Sequence, residues 1–117
     1  TSDETLTWNQ IYKSIANCLG VDFKPYYVPS DFLAAVSNYD FMGSLTGDKA
    51  NSVVFDNQKL KSVVPDFKPT VRFDMGINNT VRYVLENIEC QTEDKEFDKW
   101  CDKVIVALEK AKGEINL

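Results

Sequence analysis

The 117-residue sequence contains no histidine. Histidine is the commonest general base and a common metal ligand, so its absence excludes Ser-His and Cys-His catalytic arrangements within this chain. The three cysteines, Cys18, Cys90 and Cys101, are odd in number and far apart, which favours neither a disulfide framework nor a zinc site. We therefore assign no catalytic residue and no metal ligand to this chain.

Several longer patterns are also missing. The sequence has no G-x-G-x-x-G turn, no G-x-x-x-x-G-K-[ST] loop and no tyrosine followed by lysine four positions later. We therefore expect no cofactor to be bound by this chain itself. No apolar run approaches the ~20 residues that cross a bilayer, and no leader pattern opens the chain, so we expect a cytoplasmic protein.

The composition is that of one soluble globular domain, residues 1–117, with 44% hydrophobic and 26% charged residues. The net charge is −5 and the pI about 4.6. An acidic surface repels phosphate backbones, so no nucleic-acid partner and no membrane partner is expected.

Helical periodicity covers most of the chain. The clearest segment runs from Trp8 to Leu19, with Thr7 and Gln10 as a capping box and Gly20 as the stop. Further helices are predicted over residues 31–41, 57–64, 74–89 and 94–112, and Asp56 or Asn57 is expected to cap the third of these five.

Two short segments are predicted as strands, residues 24–28 and 52–56. Because a helix separates them, they favour a small parallel pair with a right-handed crossover. The predicted fold class is α+β, mostly helical, with a small two- to three-stranded parallel sheet.

The most informative stretch is GDKANSVVFDNQK, residues 47–59. Asp48 and Lys49 follow a glycine in a predicted loop, where both charge signs could contact hydroxyl or phosphate oxygens of a ligand. A solvated turn is the alternative interpretation of this pair.

The order of motifs resembles the C-terminal substrate-binding domain of the NAD-dependent epimerase/dehydratase family, the extended short-chain dehydrogenase/reductases. The resemblance covers about residues 2–89. It lies in SDETLTWNQIYKSIANCLGVDFKPYYVPSDF and in the order of Gly47-Asp48, a short apolar strand, Asp56-Asn57-Gln58-Lys59, Pro65 and an acidic helix start at Asp74.

The resemblance implies a substrate-binding role for Asp48 and Lys49, which would contact a sugar or nucleotide-sugar substrate. It also implies that NAD and the catalytic pair belong to a Rossmann domain absent from these residues, that the fragment alone is not an enzyme, and that the parent protein is a homodimeric isomerase or oxidoreductase. Many nucleotide-sugar epimerases carry a diphosphate-binding arginine three residues before the Gly-Asp aspartate. Leu45 occupies that position here.

Two other functions remain open from the sequence. One is a non-catalytic interaction module that docks through the apolar stripe of the last helix, residues 97–111. The other is a nucleic-acid-associated relative of the same family, which the acidic composition disfavours.

Overall fold

The computed structural model describes residues 1–115, and within that range it contains helices and irregular segments. The elements are α1 (Trp8–Leu19), α2 (Ser30–Ala35), a π-helical segment (Met42–Gly47), α3 (Gln58–Val63), α4 (Phe73–Glu86), a 3₁₀ turn (Ile88–Cys90) and α5 (Lys95–Ile115). Across the described residues, no helix is both long enough and apolar enough to cross a membrane.

The predicted α+β fold class is wrong. The chain is 60% helical, and residues 1–115 contain no strand and no parallel sheet. Residues 24–28 and 52–56 are irregular. Pro25 has no backbone amide hydrogen to donate to a ladder. More generally, β-forming composition becomes a strand only where a partner segment lies alongside, and local sequence does not specify that partner.

The predicted ends of α1 are confirmed. The Thr7 hydroxyl oxygen accepts the Gln10 amide hydrogen at 3.3 Å, and the Gln10 side-chain oxygen accepts the Thr7 amide hydrogen at 2.7 Å. Gly20 has a φ of 68°, the left-handed conformation that ends a helix and that only glycine adopts without strain.

The second helix is shorter than predicted. α2 ends at Ala35, and the prediction of a helix to residue 41 is wrong. Polar side chains beyond it bond to nearby backbone instead, since Ser37 accepts the Tyr39 amide hydrogen at 2.9 Å and Asp40 that of Gly43 at 2.7 Å. Such local bonds compete with helix continuation.

The chain divides into two compact units, Thr1–Arg82 and Tyr83–Leu117, and the second is described to residue 115. In the second unit, the last carbonyl groups of α4 accept side-chain amides. Asn87 donates to the Tyr83 carbonyl oxygen at 2.7 Å, and Gln91 donates to that of Val84 at 3.0 Å. These bonds satisfy helix-end acceptors that would otherwise need water.

The apolar stripe of α5 is largely half-buried. Val104 is its buried centre at 8% exposure, and the rings of Phe97 and Trp100 stack with centroids 5.8 Å apart. In the first unit the core is thin. Among the described residues of this unit, Ala16 is the one apolar residue that is buried. By contrast, Tyr27, Phe55 and Val63 are each more than two-thirds exposed. A large apolar surface of this unit therefore faces solvent.

Candidate functional site

The π-helical segment positions the Gly-Asp turn. Its start is fixed by Asp40, whose Oδ1 accepts the Gly43 amide hydrogen at 2.7 Å and whose carbonyl oxygen accepts the Ser44 hydroxyl at 2.6 Å. A Cβ at Gly43 would displace the Asp40 carboxylate from this position, so glycine leaves room for the Asp40 bond. Single-turn π-helices occur frequently at functional sites.

The same segment holds the backbone of the two candidate ligand-binding residues. The Asp48 amide donates to the Gly43 carbonyl oxygen at 3.0 Å, and the Lys49 amide donates to that of Leu45 at 3.1 Å. The turn therefore has defined backbone bonds, although sequence analysis placed it in a loop.

The side chains of Asp48 and Lys49 are brought together. Lys49 Nζ lies 2.7 Å from Asp48 Oδ2 and donates a second bond to the Ser44 carbonyl oxygen at 3.1 Å. The ammonium group thus lies against the Ser44 carbonyl of the π-helical segment, whose oxygen carries the negative end of the peptide dipole.

The hydrogen bond from Lys49, reinforced by its charge, lowers the pKa of Asp48 below its ordinary value of 3.8. Asp48 is therefore ionised at neutral pH and can only accept hydrogen bonds. Its side chain is 72% exposed, and its Oδ1 has no partner among residues 1–115. Such an oxygen can accept a ligand hydroxyl, and an ionised carboxylate of this kind supplies no proton for acid catalysis.

Leu45, at the position where many members of the family that the sequence resembles carry arginine, is half-buried on the same segment. Its aliphatic side chain can supply no hydrogen bond to phosphate. The cation nearest to Asp48 is Lys49, and its ammonium group already carries two bonds.

A second polar cluster, which sequence analysis missed, joins the N-terminal residues Thr1–Glu4 to the starts of α3 and α4. We call these four residues the N-terminal clip. Asn57 donates through Nδ2 to the Thr1 carbonyl oxygen at 3.0 Å and to Asp3 Oδ1 at 2.9 Å. Lys61 Nζ adds bonds to both Asp3 carboxylate oxygens, at 3.0 and 2.8 Å.

The other half of the clip is Glu4. Its Oε2 accepts the amide hydrogen of Phe73, the first residue of α4, at 2.7 Å. Its Oε1 lies 3.6 Å from a guanidinium nitrogen of Arg72, which also contacts Asp74 at 3.3 Å. A carboxylate at a helix N-terminus satisfies an otherwise unpaired amide and complements the helix dipole.

Asn57 shows why sequence alone does not reveal this cluster, although the cap predicted at Asp56 or Asn57 is confirmed. Asp56 caps α3, because its Oδ1 accepts the Gln58 amide hydrogen at 2.8 Å, whereas Asn57 makes no side-chain cap bond. Asn57 is only 8% exposed, and its side-chain partners lie 54 and 56 positions away. No local pattern carries that information.

Hydrogen bonds from Lys61 and then Asn57 lower the pKa of Asp3 below 3.8. The Asp3 carboxylate is therefore ionised at neutral pH, and its hydrogen bonds from Lys61 and Asn57 are charge-assisted.

Two cavities adjoin the clip. One, of about 210 Å³, lies between residues 1–6 and Val53–Phe55. The other, of about 260 Å³, is lined by polar groups that include Lys13, Asn17 and Arg72.

Comparisons with protein-family models, with curated proteins and with solved structures find no match to this chain.

Proposed function

We propose that this chain is the substrate-binding domain of an NAD-dependent epimerase or dehydratase. In this proposal a Rossmann domain elsewhere in the longer protein binds NAD, and the present residues hold a sugar substrate against it. The choice of family in this proposal is based on the sequence resemblance over residues 2–89.

The observation that carries the proposal is the Asp48–Lys49 pair. A π-helical segment fixes its backbone, the hydrogen bond from Lys49 lowers the pKa of Asp48, and Asp48 Oδ1 is open within the described residues. A fixed carboxylate oxygen at an exposed turn is suited to accept a hydroxyl of a sugar or ribose ring.

The thin core of the first unit supports the same proposal. Val53, Val54 and Phe55 are 66–73% exposed, and Tyr27 is 69% exposed. Surfaces between domains of one chain commonly cover ~600–1,500 Å². An exposed apolar segment a few residues from the Asp48 turn is suited to contact a cofactor domain.

NAD bound by the Rossmann domain would supply the redox chemistry, accepting a hydride from a substrate carbon and later returning it. Asp48 would orient the substrate through a hydroxyl. Because Leu45 cannot pair with a diphosphate, we propose a sugar substrate whose phosphate, if it has one, is bound by residues other than Leu45.

Calorimetry with NAD⁺ and a panel of sugars and nucleotide sugars tests the proposal. It should be run on this chain and on the chain extended upstream through its native gene. Binding of NAD⁺ by the extended chain alone is expected. If the extended chain ignores NAD⁺ and every sugar, the proposal fails and the interaction-module alternative takes its place.

A further inference from the structure

One face of α1 is polar and lines a groove that it shares with the start of α4. The four side chains of that face recur at positions i, i+3, i+4 and i+7, and they are Gln10, Lys13, Ser14 and Asn17. All four line the cavity of about 260 Å³ that Arg72 and Asp74 also line. Ser14, Asn17 and Asp74 continue into a second cavity, of about 380 Å³, whose lining includes Asn78. The two cavities therefore adjoin, and we call them together the α1–α4 groove.

Several side chains of the groove have unused hydrogen-bonding capacity. Lys13, Asn17 and Asn78 make no side-chain hydrogen bond to any of residues 1–115. An ammonium group offers three donors, and each asparagine amide offers two donors and an acceptor oxygen. The Ser14 hydroxyl donates to the Gln10 carbonyl oxygen at 2.9 Å, so it can only accept a hydrogen bond from a ligand. The groove therefore presents open donors and open acceptors side by side.

The charges that line the groove balance each other. Arg72 lies between two carboxylates, 3.6 Å from Glu4 Oε1 and 3.3 Å from Asp74 Oδ1. Lys13 supplies the second positive charge and forms no ion pair with any described residue. An anionic ligand attracted by Lys13 would be repelled by Glu4 and Asp74. A neutral ligand meets no such repulsion.

We propose that the α1–α4 groove binds a small neutral polyol, about the size of one sugar ring. Every hydroxyl of such a ligand can both donate and accept, which matches the mixed lining. Leu6 and Phe73, both half-buried, line the first cavity and can pack against the C–H groups of the ring. The volumes of the two cavities lie near the lower end of those of small-molecule sites, ~300 Å³. The groove shares no residue with the Asp48 turn, so it is a site additional to the one of the proposed function.

NMR titration of the 117-residue chain with D-glucose and with myo-inositol tests the proposal. The side-chain amide signals of Asn17 and Asn78 should shift and reach saturation with at least one of the two polyols. The signal of Asn51, at an exposed irregular position, should stay in place. A groove that is open to solvent should give a Kd of roughly 1–10 mM. Shifts that never saturate, or that are the same at all three asparagines, overturn the proposal.

Adjacent asparagines on α4 provide a matched pair of variants. Asn78 lines the second cavity, whereas Asn79 lines neither, and both are exposed, so alanine is compatible with the helix at either position. Asn78→Ala should raise the Kd for the polyol by ~3–10-fold, the effect of losing one or two hydrogen bonds. Asn79→Ala should leave the Kd unchanged. Equal Kd values for the two variants overturn the proposal.

Inorganic phosphate is the probe for the competing kind of site. The balanced charges predict that phosphate causes no saturable shift at Lys13, Asn17 or Asn78. Saturable binding of phosphate at these residues, without binding of either polyol, identifies an anion site and overturns the proposal.

Cys18 provides an independent readout, because it is half-buried and lines the second cavity. In a chain that carries Cys90→Ser and Cys101→Ser, a saturating polyol should slow alkylation of Cys18. Adding Asn78→Ala should weaken that protection at the same polyol concentration. Protection that is unchanged by Asn78→Ala overturns the proposal.

These experiments need neither NAD⁺ nor residues beyond the 117, so they fail or succeed separately from the proposed function. Polyol binding in the groove together with an extended chain that ignores NAD⁺ supports the groove and refutes the proposed function. NAD⁺ binding without polyol binding in the groove does the reverse.

Discussion

Asn57 and Thr1 are 56 positions apart in the sequence, and the side-chain amide of the first donates to the backbone carbonyl of the second at 3.0 Å. Among the described residues, Asn57 is the one polar residue that is buried, with a relative exposure of 8%. A buried amide with two acceptors stabilises one arrangement of the segments that it joins.

Replacing Asn57 with alanine should lower the free energy of unfolding by ~1–3 kcal/mol, because two part-buried hydrogen bonds are lost. Urea denaturation measures the change. The matched control is Asn51→Ala, at an exposed irregular position, which should stay within ~0.5 kcal/mol of the parent. If Asn57→Ala changes the free energy of unfolding no more than Asn51→Ala does, the bonds of Asn57 contribute nothing to stability.

Asp3 should make stability depend on pH. Its folded pKa is depressed, so its contribution is fully present above the ordinary value of 3.8 and is lost as the pH falls through the lower folded value. The stability difference between the parent and Asp3→Asn should therefore be constant near neutral pH and shrink below about pH 4.

Lys61→Met is the control for that titration, since Lys61 is the main cause of the depressed pKa. In that background, Asp3→Asn should lose most of its pH-dependent effect. A pH dependence that survives the loss of Lys61 would contradict this explanation.

Asp48→Ala in the extended chain should raise KM several-fold with a smaller change in kcat, because the proposed role is to bind a substrate hydroxyl. Steady-state kinetics with the sugar identified by calorimetry measures it. Asp66→Ala, at an exposed position in the segment between α3 and α4, is the matched control and should leave KM unchanged. An unchanged KM for Asp48→Ala would remove this residue from the site.

Two glycines should respond in opposite ways to alanine. Gly20→Ala should destabilise the chain by ~1 kcal/mol, because a Cβ is strained at a φ of 68°. Gly113 lies within α5 with open space where a Cβ would be, so Gly113→Ala should stabilise by ~0.5–1 kcal/mol. Thermal unfolding of both variants measures these changes in stability. Changes of the same sign for Gly20→Ala and Gly113→Ala would be inconsistent with the backbone conformations described.

Cys101 should react slowly with thiol reagents. Burial, followed by the nearby charges of Asp98 and Asp102, raises its pKa above 9.0, whereas Cys90 is exposed. Thiolate is the reacting species, so Cys90 should be modified first at pH 8. Cys90→Ser should eliminate the fast phase and Cys101→Ser should retain it. A fast phase that disappears in Cys101→Ser would mean that α5 exposes this thiol in solution.

Sequence reasoning succeeded where the determining contacts are local. Thr7, Gln10 and Gly20 bound α1 through partners at most four residues away, and α3 ends before Pro65 as predicted. Similarly, Asp48 and Lys49 were correctly grouped because they are adjacent in the chain, although their role as ligands remains a prediction.

Sequence reasoning failed where the structure of a segment depends on a partner that is distant in the sequence. The segment Val53–Phe55 has strand composition but no backbone hydrogen-bond partner within residues 1–115, so the predicted sheet does not form there. The predicted cap of α3 is made by Asp56, but no sequence pattern indicated the separate role of Asn57. Its actual partners, Thr1 and Asp3, are fixed by tertiary structure that no short pattern encodes.

The N-terminal clip also bears on how the protein is made. Residues Thr1–Glu4 leave the ribosome well before their partners, which include Lys61, Arg72 and the backbone amide of Phe73. Synthesis proceeds at about 5–20 residues per second, so several seconds pass before those partners emerge. During that interval Thr1–Glu4 lack the partners that hold them in the folded chain, and they are accessible to chaperones and proteases until α4 begins.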